Sequence, residues 1–355
     1  MKLTFDTLFS DPLIVKAVID RTQAVQKDPI FWQRYLRFEE TKSRTFKTYF
    51  GTQTGVKMGS IIGKDSKKPL RSRTSIGSGY GEVAPLGDKY QLDNDRLDMI
   101  RQLIDKFNAQ NNLENINAIV DFIFDDYRQV ALAPHKRMDK IVGDLRSTGK
   151  ASVKVADNPR GIELIDITLP VVEYEIPVTY KASLITHIQS YIQGKKATMG
   201  TFSVMEMNQK TFNNKVKASD EFKSMYTQIL GSSELLLAGG ILTEKMANEL
   251  LTGIGLPPIR IVEEYVEKAD GTSVNTFADD RITLLQSDNL GKMKWHQPYE
   301  ATDPVPGKAY TTLAGGQFIS TQRTDEGRFI EYGCEWIPDF SAPNKILILD
   351  TSKLV

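Results

Sequence analysis

From Leu97 to Leu145 apolar residues return every three or four positions, and at Ala151 the spacing drops to two. That switch constrains the fold more than any other feature of the chain. Leu97, Ile100, Ile104 and Phe107 line one helical face, and Ile116, Ile119, Val120, Ile123, Tyr127 and Val130 resume it after the polar break 108–112. Pro134 should kink or restart the helix, and Met138, Ile141, Val142 and Leu145 carry the pattern to Gly149. The spacing predicts a long helical spine that feeds directly into strands. The fold class is α+β.

Val153 and Val155 sit across Asn158-Pro159-Arg160-Gly161 from Ile162 and Leu164, a good hairpin turn. Past Leu164 the alternation slips by one, to Ile165, Ile167 and Leu169, which suits a bulge or a strand buried on both faces. A second α+β region starts near Thr201. Residues 202–207 read as a strand, Asn208 as the cap of a following helix, and 243–251 as a short helix closed by Gly253. Residues 259–266 make a strand, turned at Asp270-Gly271 towards 273–277, and 281–285 another. The stretch 317–355 is strand-rich and ends in the apolar run Ile346-Leu347-Ile348-Leu349.

The first 90 residues are different in kind. Residues 1–40 form an arm with Ile14, Ala17, Val18 and Ile19 on one short helix and an aromatic cluster of Phe31, Trp32, Tyr35 and Phe38. Such an arm must bury against its own domain or against a neighbouring subunit, and the sequence leaves both open. Residues 41–90 hold ten basic residues, three acidic ones and eight glycines. With alternating stretches such as 45–50, this reads as a twisted β-hairpin projection whose tip has little core of its own.

A chain of 355 residues exceeds the size at which one core stops growing, so two or more units are expected. Forty-five basic residues balance forty-five acidic ones, so no net field draws the whole chain to nucleic acid or membrane. A single cysteine, Cys334, rules out an intramolecular disulfide and suits a reducing compartment. The longest apolar run, 235–242, is too short to span a bilayer. A soluble, cytoplasmically made protein is expected.

The search for chemistry is mostly negative. His135, His187 and His296 are scattered without metal-ligand spacing, and Cys334 beside Glu335 and Trp336 reads as a packed thiol. Gly59-Ser60-Ile61-Ile62-Gly63-Lys64-Asp65 has three residues where a phosphate loop needs four, and a carboxylate where that loop needs a hydroxyl. Gly77-Ser78-Gly79-Tyr80-Gly81 lacks the strand before and the helix after that a dinucleotide fingerprint requires. The adjacent pairs Asp125-Asp126, Glu263-Glu264 and Asp279-Asp280 diverge instead of converging on a substrate. No catalytic, cofactor or metal site is expected. The basic segment 42–73 could bind nucleic acid, but its aromatics cluster at one end; docking on an acidic neighbour fits as well. Asp93, Asp95, Asp98 and Asp105 are candidate acceptors for it.

The succession of apolar arm, basic hairpin, spine helix, hairpin, separate α+β unit and returning strands resembles the Hong-Kong-97-type capsid fold of tailed phages. More narrowly it is similar to the lambda-type major capsid protein branch, the major capsid protein E family. The resemblance rests on Gly149-Lys150-Ala151-Ser152-Val153 and Gly161-Ile162-Glu163-Leu164-Ile165-Asp166-Ile167, on 202–212, and on Phe277-Ala278-Asp279-Asp280-Arg281-Ile282-Thr283-Leu284. The closing portion 315–350, with Tyr332-Gly333-Cys334-Glu335-Trp336, completes it.

The resemblance implies an arm over 1–40, an extended loop over 41–92, a peripheral domain over 93–200 with the spine helix, an apical domain over 201–312, and a return to the peripheral domain over 313–355. It implies a non-enzymatic shell protein that forms pentamers and hexamers around double-stranded DNA in a virion assembled in the bacterial cytoplasm. Inter-subunit contacts are expected from Lys64, Lys67, Lys68, Arg71 and Arg73 to Asp93, Asp95, Asp98 and Asp105. About 40 residues precede the loop, too few for a scaffolding domain, so a separate scaffolding protein is expected, with a portal and a possible decoration protein. DNA contact would be weak and non-specific, and no membrane is involved. A lysine–asparagine crosslink has no matching motif. An encapsulin-like compartment and a nucleic-acid-binding protein are the alternatives.

Overall fold

The computed structural model describes residues 3–10, 29–50, 77–92, 94–110, 113–154, 158, 166–230 and 244–354. In chain order these contain helix α1 (Phe5–Ser10), strands β1 (Leu36–Glu40), β2 (Thr45–Phe50), β3 (Gly77–Glu82) and β4 (Ala84–Leu92), and helices α2 (Asn94–Gln110) and α3 (Leu113–Thr148). Strands β5 (Lys150–Ser152), β6 (Asp166–Thr168) and β7 (Val172–Glu175), helix α4 (Leu184–Met199), strand β8 (Val204–Met207) and helices α5 (Asp220–Leu230) and α6 (Glu244–Gly253) follow. Next come β9 (Ile259–Ile261), β10 (Tyr265–Glu267), β11 (Ser273–Asn275), β12 (Arg281–Leu285) and β13 (Gly291–His296). The last strands are β14 (Ala309–Thr312), β15 (Phe318–Thr324), β16 (Gly327–Asp339) and β17 (Ile346–Asp350).

The chain folds into two compact units that interleave along the sequence. The first comprises Met1–Phe46, Tyr80–Asp139 and Lys292–Asp339; the second comprises Lys47–Gly79, Lys140–Gly291 and Phe340–Val355.

The first unit is built on β16. It pairs antiparallel with β15 from Phe318↔Gly333 to Thr324↔Gly327, with β4 from Ala84↔Trp336 to Leu92↔Arg328, and with β13 at its far end. Ile100, Ile104 and Phe107 of α2 and Ile119, Tyr127 and Val130 of α3 pack with Ile319, Ile330 and Tyr332 of the sheet. The three-and-four spacing thus marks the buried stripe. The helix α1 adds Leu8 and Phe9, and the Thr321 hydroxyl donates to the Phe9 carbonyl at 2.7 Å.

The aromatic cluster of the arm buries within this same unit. Trp32 is 1% exposed, stacks on His135, and lies edge-on to Phe38. Asp139 accepts the backbone N–H groups of Phe31 and Trp32 at 2.9 and 2.8 Å. Of the two possible partners for this cluster, its own chain is the one observed. Ile14, Ala17, Val18 and Ile19 lie outside the described residues.

Pro134 does not interrupt the spine: α3 runs unbroken over 36 residues with the proline inside. Its missing N–H and bulky ring disturb the preceding turn. The proline removes the helical donor to the Val130 carbonyl, and the buried Gln317 side chain donates to the neighbouring Ala131 carbonyl at 3.1 Å. At the far end Gly149 takes the left-handed φ of 72° that ends the helix, as the sequence predicts.

The second unit holds a five-stranded sheet in the order β7-β17-β12-β8-β9. The 346–350 run is its buried β17, matched to β12 from Arg281↔Asp350 to Leu285↔Ile346. Leu184, Ile185 and Ile188 of α4, Phe222 of α5 and Leu250 and Leu251 of α6 pack in the core with Met205, Leu284 and Leu347. Asn208 does cap the next turn, its side chain accepting from Thr211 N at 2.8 Å. The helix over 244–253 ends differently from expectation: Gly253 is still helical, and the left-handed residue is Gly255 at φ 83°. The expected strand 259–266 is two strands, Ile259–Ile261 pairing with β8 and Tyr265–Glu267 pairing with β11. The β5–β6 ladder, Lys150↔Thr168 to Ser152↔Asp166, is centred on Pro159; of the four turn residues only Asn158 is described.

Candidate assembly surfaces

Of the basic segment 41–90 the structure describes 41–50 and 77–90, where β2 and β3 pair as a two-stranded ribbon, the base of the projection expected above. Three contacts in the first unit fix that base. Thr41 N donates to the Trp295 carbonyl at 2.7 Å, Val83 N donates to the Arg44 carbonyl at 2.8 Å, and the Phe46 ring covers Gly81 so closely that a Cβ there would meet it at 2.6 Å. The Arg44 guanidinium then grips Glu335 with both Nε (3.1 Å) and Nη2 (2.5 Å), a fork-to-carboxylate geometry. His296 Nδ1 meets the same carboxylate at 2.8 Å. Nearby, Lys294 hydrogen-bonds Glu39 and holds its carboxyl below the usual range. The sequence gives no sign of Glu335 as an anchor, since Arg44 and His296 are remote from it in the chain.

The predicted contact residues divide into two groups. Lys64, Lys67, Lys68, Arg71, Arg73 and Asp93 lie outside the described residues. Asp95, Asp98 and Asp105 are exposed on α2, opposite its buried Ile100, Ile104 and Phe107. At about 100° per residue the three carboxylates fall within about 80° of the helix circumference, so the structure brings them onto one acidic stripe.

In the second unit the end of the spine is tied by charges. Arg146, 1% exposed, bonds Glu206 at 2.6 Å and Glu264 at 2.7 Å. Arg260 bonds the other Glu206 oxygen at 2.5 Å and then Asp288 at 2.6 Å. Thr276 donates to Glu264 at 3.1 Å and Thr283 to the Arg146 carbonyl at 2.9 Å. Each buried charge is therefore paired and hydrogen-bonded, which burial demands. Gly143 lets this part of α3 lie against Thr276, whose carbonyl a Cβ would meet at 2.5 Å.

Reactive groups are used for packing. His135 accepts from Trp32 Nε1 through Nδ1 at 3.2 Å, and burial, with Lys136 nearby, lowers its pKa to about 3. Burial pushes the Cys334 thiol well above its ordinary value, which disfavours the thiolate. Among the described residues no group of three or more His, Cys, Asp and Glu side chains could hold a metal ion, and no helix is long and apolar enough to cross a membrane.

No protein-family model matches the sequence, and no curated protein does. Solved structures do match. A prophage protein described as a capsid protein (E. coli CFT073) is 12% identical and aligns over 95% of this chain and 99% of its own, with a TM-score of 0.53. The capsid asymmetric unit of cyanophage A-1(L) is 11% identical and aligns over 93% and 95%, with a TM-score of 0.50. The chain therefore has the α+β fold of phage capsid proteins, the Hong-Kong-97-like architecture.

Proposed function

We propose that this chain is a major capsid protein of a tailed phage or prophage, of the lambda-type branch, with a structural and non-enzymatic role. It assembles into pentamers and hexamers that tile an icosahedral head around double-stranded DNA. The observation that carries this reading is the end-to-end correspondence with two phage capsid folds, 95% of this chain against 99% of one of them. In that role 1–40 is the arm, 41–92 the extended loop, 93–200 with 313–355 the peripheral domain and 201–312 the apical domain. Lys64, Lys67, Lys68, Arg71 and Arg73 reach the carboxylates of Asp93, Asp95, Asp98 and Asp105 on a neighbour. A separate scaffolding protein, a portal and a decoration protein are its partners, and assembly takes place in the host cytoplasm.

Electron microscopy of the full chain, expressed alone and with the neighbouring phage genes, tests this. Rings or icosahedral particles are the expected result; a strictly monomeric protein that binds DNA with a steep salt dependence would overturn it. The double change Arg71→Glu with Arg73→Glu should leave a folded chain that no longer closes shells. Normal particles from it would remove the electrostatic role of the loop while leaving the shell reading intact.

A further inference from the structure

The second unit carries two unlike patches, associated with opposite edges of its five-stranded sheet. The strand β7 is one edge and β9 the other. On the β7 side, Val172, Val178 and Tyr180 are 37%, 57% and 36% exposed. Tyr180 stacks on His187 with ring centroids 3.6 Å apart, Tyr174 stacks on Tyr191 at 4.1 Å, and the Tyr174 hydroxyl meets His187 Nε2 at 3.2 Å. Lys195 lies 5.4 Å from the Tyr191 ring, and Lys196 beside it is exposed. The rings brace one another, so a partner meets an apolar step with a cationic end already formed. Docking on it freezes little side-chain freedom.

The chain leaves β9 and enters the β10–β11 hairpin directly. Its Tyr265 is 52% exposed and is flanked by exposed Glu263, Glu267 and Asp270. This hairpin is also pre-shaped. The Tyr265 hydroxyl donates to Glu263 at 2.6 Å, Asp270 accepts from Thr272 N and Oγ1 at 2.9 and 2.6 Å, and Gly271 supplies the left-handed φ of 80°. Lys195 and Lys196 favour the C-terminal end of their own helix dipole, which would by itself explain two lysines there. It does not explain an exposed apolar step with stacked rings beside them.

We propose that the β10–β11 hairpin of one copy docks on the 172–196 face of the next copy, with Tyr265 against Val178 and Tyr180, and with Glu267 and Asp270 against Lys195 and Lys196. The inference rests on the self-assembly reading and adds the surfaces that perform it. Because the two patches differ and belong to opposite edges of one sheet, the contact is head-to-tail, the type that closes into rings when the rotation permits.

Charge reversal tests it in the full chain. Lys195→Glu with Lys196→Glu, and separately Glu267→Lys with Asp270→Lys, should each lower the yield of rings or particles by about tenfold or more. The melting temperature should stay at the wild-type value. All four changes together restore opposite charges across the contact and should recover assembly. Undiminished assembly by either pair, or folded four-change protein that stays dispersed, would overturn the docking while wild-type particles uphold the shell reading. A wild-type chain that forms no rings or particles overturns both. As a second readout, Val178→Cys with Tyr265→Cys should give a ladder of disulfide-linked copies on mild oxidation, because Cys334 is buried; linkage only at the level of wild type counts against the contact.

Discussion

Around Trp32 the spine helix is held by rings and one carboxylate; around Arg146 it is held by a chain of charges. In the first unit His135 stacks on Trp32 at 5.8 Å and tilts against Trp336 at 4.8 Å, and burial keeps its imidazole neutral. In the second, two arginines alternate with three carboxylates from Glu264 to Asp288. Each arrangement answers the cost of burying polar groups, by neutrality in one place and by pairing in the other. The two therefore fail differently. A neutral clasp is sensitive to a proton, and a paired network is sensitive to a missing member.

The largest effect expected is from Arg146→Ala, which takes the buried cation from Glu264 and leaves Glu206 with Arg260 alone. The loss should be about 3–5 kcal/mol, read from the denaturant midpoint. A loss under about 1 kcal/mol would mean that water replaces the guanidinium and that the contrast drawn here is false.

Acid should act on the other clasp. The folded-state pKa of His135, about 3, lies below the 6.5 of an exposed imidazole. As pH falls below 6.5 the unfolded chain takes up this proton first, so stability declines down to about pH 3. At about 1.4 kcal/mol per pH unit the decline reaches about 3 kcal/mol near pH 4. His135→Gln keeps an acceptor for the Trp32 N–H and should flatten that part of the pH profile; an unchanged slope would acquit the histidine. The smallest expected effect is Thr283→Val, which removes one buried hydrogen bond to the Arg146 carbonyl, about 1 kcal/mol. It sharpens the comparison by separating the charges from the neutral bonds that support them.

Elements whose signal is local were legible in the sequence. The spine stripe, the Asn208 cap, the Gly149 exit and the Asp270-Gly271 turn each depend on residues a few positions apart, and each is found. What failed depends on distant partners. Pro134 reads as a break, yet the helix continues through it, packed where Gln317, remote in sequence, bonds the Ala131 carbonyl. Glu264 reads as one of a diverging carboxylate pair until Arg146 is seen beside it, bonded to both Glu206 and Glu264. Of the candidate contact residues, the sequence offered Asp95, Asp98 and Asp105 as acceptors but it is the helix α2 that puts them on one face, and the Glu335 anchor below the ribbon was invisible to it.

The pairing of β4 with β16 also has a consequence for timing. Leu92 lies opposite Arg328, and Ala84 opposite Trp336. On the ribosome β4 must wait, at typical synthesis rates, roughly ten to fifty seconds for its partner strand to emerge. The second unit waits similarly for β17, which lies between β7 and β12 in its sheet. Neither unit can mature while the nascent chain is short, and such long-range pairing is intrinsically slow to form. On the proposed assembly, the delay means that unfinished chains do not yet present a completed surface to finished ones.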